Sequence, residues 1–297
     1  MVSPYIFHCP SPPALFSPPS PVLTDKEEQA LGMLKEAIPE LLSPSQGEQA
    51  DRERAWLSQA CLLRYLRAHR WSVPSAKKGL AETLEWRRSY KPDMIPPEEV
   101  RVEGETGKTF PSGFDRMGRP IIYMRPRLEN TKTSDRQLRY VVFVLERALA
   151  MMPPGVETVT LVIDYKGASM RQSPGISTCK SFLHILSNHY PERLGRAFVV
   201  DGPWYFFTLF RMLNPFMDPV TREKVWFVDL EKQKTMELEK SAIDDYTSLL
   251  YHIHPDMLDD MMGGNLNMPF DHAQYWPQFL EETGGPIRAL PSWESRG

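Results

Sequence analysis

The chain has 297 residues, a formal net charge of -3, 41% hydrophobic residues and 25% charged residues. Such values suit a globular protein with one large core or two modest ones, and they supply no basic field for nucleic acid. Three scattered cysteines, Cys9, Cys61 and Cys179, are too few for a disulfide framework or a thiolate zinc site, and no run of about 18 apolar residues exists to span a bilayer.

The chain opens on MVSPYIFHCPSPPALFSPPSP, which lacks the charged-then-apolar order of a secretion signal. Its prolines oppose regular helix, so residues 1–23 are expected to form a disordered proline-rich arm, with Leu15 and Phe16 available to dock on a neighbour. From Thr24 the pattern turns helical. Thr24 is an N-cap, acids follow in the first turn, and Leu31, Leu34 and Ile38 mark one face. SPSQGEQADRERA reads as a polar link. Two further helices, AWLSQACLLRYLRAHRW and SVPSAKKGLAETLEWRRSYKP, complete a helical lobe over residues 24–92.

Beyond Lys108 the period changes. Short runs rich in Val, Ile and aromatics predict strands near 119–125, 158–165, 196–201 and 224–229. Helical patterns separate them. Strand and helix alternating at a spacing of roughly 35 residues implies crossovers and a mainly parallel sheet. The expected α/β lobe covers residues 93–264. A tail over 265–297, rich in Pro, Gly and Trp, is expected to wrap the surface.

Three motifs invite a catalytic or metal reading and fail it. GETGKT, Gly104 to Thr109, resembles a phosphate loop, but Val102 stands where the first glycine belongs and Phe110 and Pro111 follow in place of a helix. GASMR, Gly167 to Arg171, carries the serine of a hydrolase elbow, Ser169, without the second glycine. His252 and His254 lie two apart in YHIHPD, with no third metal ligand in view. No enzymatic activity, metal or diffusible cofactor is expected.

GPWYFFTLFRMLNPF, Gly202 to Phe216, holds six aromatic residues in fifteen, against 11% for the chain. Pro203 suits a helix start and Pro215 a helix end. Thr208, Arg211 and Asn214 form one narrow polar stripe; the remainder is apolar, as in a helix buried in protein or lipid. About twelve residues reach only ~18 Å, short of a bilayer core of ~30 Å. A core helix and a mobile lid over an apolar cavity both satisfy this pattern. Glu192, Arg193, Thr221 and Lys224 bracket the segment. Charges beside a nonpolar cavity are costly without partners, and a ligand with a polar head and an apolar body would supply them.

At this point the sequence resembles the CRAL-TRIO lipid-binding family, in its fungal phosphatidylinositol transfer branch. LLRYLRAHRWSVPSAKKGLAETLEWRR, GFDRMGRPIIYMRP, LVIDYKG, HYPERLGRAFVVDGPWYFFTLFRMLNPFMDPVTREK and GGNL carry the likeness, over roughly Thr24 to Phe279. The resemblance implies a helical N-terminal lobe and an α/β lobe whose sheet floors a hydrophobic lipid pocket. A gate helix would close that pocket, here bearing Trp204, Tyr205, Phe206, Phe207 and Phe210. It implies inositol-headgroup roles for Glu192 and Arg193 of the YPER motif and for Thr221 and Lys224 of the DPxTxxK segment. A further headgroup arginine of the family falls at His69, beside Arg70. The family's phosphatidylcholine site departs more: its two tyrosines correspond to Pro111 and Ile122, and its Ser/Thr pair to Ser169 and Arg171. Loss of both rings and gain of a cation disfavour choline. The implied activity is phosphatidylinositol exchange between membranes with weak or no phosphatidylcholine exchange. It would proceed in the cytoplasm with transient peripheral membrane contact and serve lipid kinases indirectly. A sterol carrier, or a lipid-occupancy sensor for a protein partner, is the alternative.

Overall fold

The computed structural model describes residues 3–10, 22–43, 47–172, 174–238 and 245–284. The helical lobe contains α1 (Asp25–Glu36), α2 (Glu48–Trp56), α3 (Gln59–Ala68) and α4 (Val73–Tyr90). Thr24 caps α1 in a reciprocal box with Glu27, as its T-x-x-E spacing predicts. The expected polar link is itself partly helical. Its charged half forms α2, and the helix breaks at Leu57 because the Ser58 side chain caps Cys61 and starts α3 afresh. Leu34, Leu57, Cys61, Leu62, Leu66, Leu80 and Leu84 are fully buried at the centre of this lobe.

The second lobe follows as α5 (Pro97–Gly104), β1 (Thr109–Phe114), β2 (Pro120–Met124), α6 (Ser134–Ala150), β3 (Val159–Asp164), α7 (Ile176–His189), β4 (Leu194–Val200), α8 (Trp204–Leu213), α9 (Pro219–Glu223) and β5 (Val225–Val228). α10 (Leu230–Leu238), α11 (Leu249–His252) and α12 (His272–Thr283) complete it. The strands form one sheet in sequential order. β1 pairs antiparallel with β2, and β2 to β5 are parallel. Sequential parallel order with crossovers of one hand places α6, α7 and α8 on the same face. There α7 packs against both α6 and α8. The other face lies under the C-terminal segment, where His252 meets Phe198 and Trp226, and the Tyr123 hydroxyl donates to the Met257 carbonyl.

Three expectations need correction on local detail. The sequence reading omits β1, because TFPSGF carries Pro111 and Gly113; both fit an edge strand with an irregular register. The edge is covered by the start of the chain, since Gly113 donates to the Ile6 carbonyl and Ser112 accepts from the Ile6 amide. Residues 3–10 are therefore no free arm: Tyr5 and Phe7 are buried in the core of this lobe. Residues 11–21, with Leu15 and Phe16, lie outside the described residues. The tail does more than wrap, for α12 packs on α5 and α6 and buries Tyr275, Trp276 and Phe279. Residues 285–297 are outside the described residues.

The lobes meet along α4 and α7. Arg87 donates to Glu146 at 2.8 Å, and the Tyr190 hydroxyl donates to the same carboxylate at 2.6 Å. His189 stacks on Trp86 with ring centroids 4.3 Å apart and lies 3.1 Å from the Thr83 hydroxyl.

Candidate functional site

Strand register puts Ile122, Leu161, Ile163, Ala197, Val199, Val225 and Phe227 on one face of the sheet, the face beneath α7 and α8. Every one of these side chains is apolar. Leu161, Ile163 and Val225 nevertheless remain half-buried, and Phe227 is 45% exposed. The covering helices show the same conflict between composition and burial. α7 carries Phe182, Leu183, Ile185 and Leu186, yet its buried residues are Thr178 and Cys179. In α8 the one buried residue is Leu213. An apolar helix reaches a stable place by burying its apolar surface, and here solvent still reaches it. The apolar side chains between sheet, α7 and α8 are thus left partly open to solvent.

Aromatic rings seat α8 on this face. Phe206 lies 4.8 Å from Tyr165, and Phe207 and Phe210 lie 5.1 and 5.8 Å from Phe227. Such contacts are dispersive and tolerate sliding, unlike a directional polar lock. Trp204 is turned outward at 72% exposure, as are Met212 and Phe216 in part. The outward surface of α8 is therefore apolar as well as polar. Two polar atoms of this segment, the Tyr205 hydroxyl and Asn214 Oδ1, are buried without a hydrogen-bond partner among the described residues. Buried polar atoms left alone are costly, and a ligand group is one way to satisfy them.

Glu192 stands before β4, and Thr221 and Lys224 stand before β5, at the N-terminal ends of two parallel neighbouring strands. The Lys224 carbonyl accepts from the Ala197 amide at 2.9 Å, which ties the start of β5 to β4. Thr221 lies in α9, a single turn started by the Asp218 side chain on the Val220 amide. Glu192 precedes β4 in a left-handed backbone conformation, φ 59°, which a residue with a Cβ seldom adopts. Glu192 and Lys224 are both half-buried, and neither side chain makes a hydrogen bond or ion pair among the described residues.

The other two expected headgroup residues have contacts of their own. Arg193 donates to the Glu157 carbonyl, just before β3, at 2.8 Å. His69 ends α3, stacked 6.5 Å from Tyr65 and against Gly79, where a Cβ would meet its Nε2 at 2.6 Å. Pro111 and Ile122 are paired across β1 and β2 and are buried. Ser169 and Arg171 occupy the exposed turn after β3.

The rejected motifs resolve into ordinary structure. The Lys108 amine is buried between the carboxylates of Glu103 and Glu129, the latter at 2.6 Å, so it faces no phosphate. Ser169 donates to Gln172 Oε1 at 2.9 Å. His252 lies in α11, bonded to the Tyr246 carbonyl, and no cluster of three metal-ligating side chains occurs among the described residues. Among them, too, no helix is long and apolar enough to cross a membrane.

The chain matches the CRAL/TRIO domain over residues 104–264, in the α/β lobe, and the CRAL/TRIO N-terminal domain over residues 26–82, in the helical lobe. The chain belongs to the CRAL/TRIO family, as its motifs imply. It is similar to a CRAL-TRIO domain-containing protein of Schizosaccharomyces pombe, at 41% identity over 82% of this chain and 23% of that protein. It is also similar to the phosphatidylinositol transfer protein PDR17 of Saccharomyces cerevisiae, at 34% identity over 79% of this chain and 65% of that one. The chain thus spans less than two thirds of both relatives. A crystal structure of Sfh5 shares the fold, with a TM-score of 0.57 at 20% identity, covering 86% of this chain and 96% of that one.

The sequence reading missed the contributions of α7 and Phe227. SFLHIL in α7 was the available signal: an apolar run with no polar face of its own.

Proposed function

We propose that the protein carries phosphatidylinositol between membranes. The acyl chains lie on the Leu161, Ile163, Val199 and Phe227 floor. α8 acts as the gate, and the headgroup is held by Glu192, Thr221 and Lys224. The observation that carries this reading is two opposite charges without partners among the described residues, Glu192 before β4 and Lys224 before β5, at one end of a sheet face whose apolar side chains stay partly open to solvent. A lysine meets a phosphate as a point charge, a threonine hydroxyl donates to it, and a carboxylate accepts from inositol hydroxyls. Similarity to a named phosphatidylinositol transfer protein supports the assignment.

Exchange needs no bond chemistry. At a bilayer surface α8 trades its contacts with Phe227 for contacts with lipid, which lowers the cost of opening. On closing, each buried CH₂ contributes about 0.8 kcal/mol, which retains the lipid in water. Phosphatidylcholine exchange is weak, because Pro111 and Ile122 offer no aromatic faces to a choline cation and Arg171 repels it. Exchange takes place in the cytoplasm with transient membrane contact and supplies phosphatidylinositol to lipid kinases.

Mass spectrometry of lipids that co-purify with the native protein tests this, repeated on Glu192→Ala and Lys224→Ala. Phosphatidylinositol is expected in the native protein and depleted in both variants. Equal loading of all three, or a sterol as the sole lipid, overturns the assignment.

A further inference from the structure

The reverse face of the sheet, away from α7 and α8, carries a cation that no acceptor satisfies. Strand register puts Thr160, Arg196, Phe198 and Trp226 on this face. β3 pairs Val159 with Leu194 and Thr160 with Arg196, so Gly195 is an extra residue, a bulge of the kind that re-aims its neighbour. The Arg196 guanidinium carbon lies 4.8 Å from the centre of the Trp226 ring. Arg196 is half-buried, and its side chain makes no hydrogen bond or ion pair among the described residues. The Trp226 Nε1 beside it is a second donor without an acceptor, buried and unpartnered among those residues.

A second guanidinium group reaches the same corner. The Arg119 side chain crosses to β4, where a Cβ on Gly195 would lie 2.8 Å from its Cδ and from its Nε; glycine leaves that path open. The nearby carboxylate is Asp115, 3.7 Å from the Arg119 guanidinium. Asp115 is buried and already accepts from the Thr160 hydroxyl at 2.7 Å and from the Met117 and Arg119 amides at 2.8 and 3.0 Å. Thr160 is the register partner of Arg196, so Arg119, Asp115 and Arg196 share this corner. Arg116, from the same turn, donates to the Leu250 carbonyl at 3.3 Å. Burial first, and Arg119 next, lower the Arg196 pKa, in keeping with this placement. The walls are aromatic. Tyr246 and His252 each meet the Trp226 ring at 5.6 Å, at a steep angle, and Tyr246 stays 60% exposed.

We propose that Arg196 and Arg119 form a carboxylate site on this face, with Trp226 as its floor. Two guanidinium groups against one carboxylate leave a single positive charge, which a monoanion matches and a dianion overshoots. A planar fork laid on an aromatic ring presents its edge to a carboxylate through two parallel hydrogen bonds. Two sources share this chemistry: a free small acid, and an aspartate or glutamate side chain of a partner polypeptide. The inference stands apart from the lipid reading, whose floor is the opposite face of the sheet.

The indole N–H resonance of Trp226, assigned by its loss in Trp226→Phe, reports the site in the whole chain. Titration with acetate, against chloride at equal ionic strength, is expected to move that resonance to saturation. An end-blocked Gly-Glu-Gly-Glu-Gly peptide does the same, and its glutamine counterpart leaves the resonance in place. Arg196→Gln weakens both titrations about tenfold or more, as loss of a charge-assisted hydrogen bond requires, and Arg119→Gln weakens them less. Tighter binding of the peptide than of acetate assigns the site to a partner chain; a peptide no tighter than acetate assigns it to a small acid. No saturable shift with either probe, or equal affinities in the native protein and both variants, refutes the proposal. Tighter binding of inorganic phosphate than of acetate overturns it too, since the charge count then fails. The native titration and Arg119→Gln keep the test decisive even where Arg196→Gln does not fold.

Discussion

The centre of the helical lobe and the sheet face under α7 and α8 are built from the same residue types to opposite ends. Around α3, Leu57, Leu62, Leu66 and Leu80 are fully buried and close-packed. Beneath α7 and α8, leucine, isoleucine and phenylalanine stay accessible to solvent, as Phe207 does at 40% and Phe227 at 45%. Composition does not separate the two regions; what the apolar atoms touch does. One surface is satisfied by its own chain, and the other is left to be satisfied from outside.

The comparison breaks most sharply at Leu66. Leu66→Ala removes side-chain volume from a site that cannot collapse, and costs about 2–5 kcal/mol of stability with no specific effect on lipid selection. Chemical denaturation measures this; a cost below 1 kcal/mol places Leu66 outside a rigid core. Lys224→Ala should do the reverse. Its side chain has no partner to lose, so stability changes by less than about 0.5 kcal/mol. Loss of a charged hydrogen bond costs about 1.5–3 kcal/mol, or roughly 10- to 100-fold in phosphatidylinositol affinity. A vesicle-binding titration beside a melt reads both, and a variant that loses stability and keeps affinity assigns Lys224 to structure.

The two regions also differ in how far the sequence exposes them. Helices α1, α3 and α4 follow from caps and apolar spacing, and the parallel strands from runs such as VTLVID and RAFVV. β1 did not, because Pro111 and Gly113 suppress its strand signal and its partner Ile6 lies over a hundred residues away in the chain. Within the site, the aromatic run of α8 and the YPER and DPxTxxK residues were legible by type. Their grouping was not. Arg193 follows Glu192 in the chain and turns to the Glu157 carbonyl, a contact that residue type does not foretell.

A smaller effect tests the rim itself. Glu192 holds a left-handed backbone that costs a residue with a Cβ about 1–2 kcal/mol, and glycine adopts it freely. Glu192→Gly is expected to be more stable than the native protein, by about 1 kcal/mol at most after the entropy that glycine adds to the unfolded chain. The same variant loses its carboxylate and therefore phosphatidylinositol. Gain of stability with loss of ligand marks strain kept for function; loss of both marks Glu192 as an ordinary structural residue.

The smallest effect lies where the two regions join. His189 ends α7, stacked on Trp86 of α4, and its pKa is lowered to about 4 by burial first and then by His184 and Arg87. Unfolded, the imidazole titrates near 6.5. Between those values the unfolded chain binds the extra proton and the folded chain does not, so stability falls as pH drops from about 6.5 to 4 and levels off below. The ring is partly exposed, and solvent screening reduces the contribution to about 1 kcal/mol. His189→Gln removes this slope while keeping a polar group near Thr83. The informative quantity is the difference in stability between native protein and variant across pH 4 to 7, because carboxylates elsewhere titrate equally in both. A difference that stays constant across that window means His189 is protonated as easily in the folded chain as in the unfolded one. The contact that anchors α7 to the helical lobe would then carry no dependence on pH.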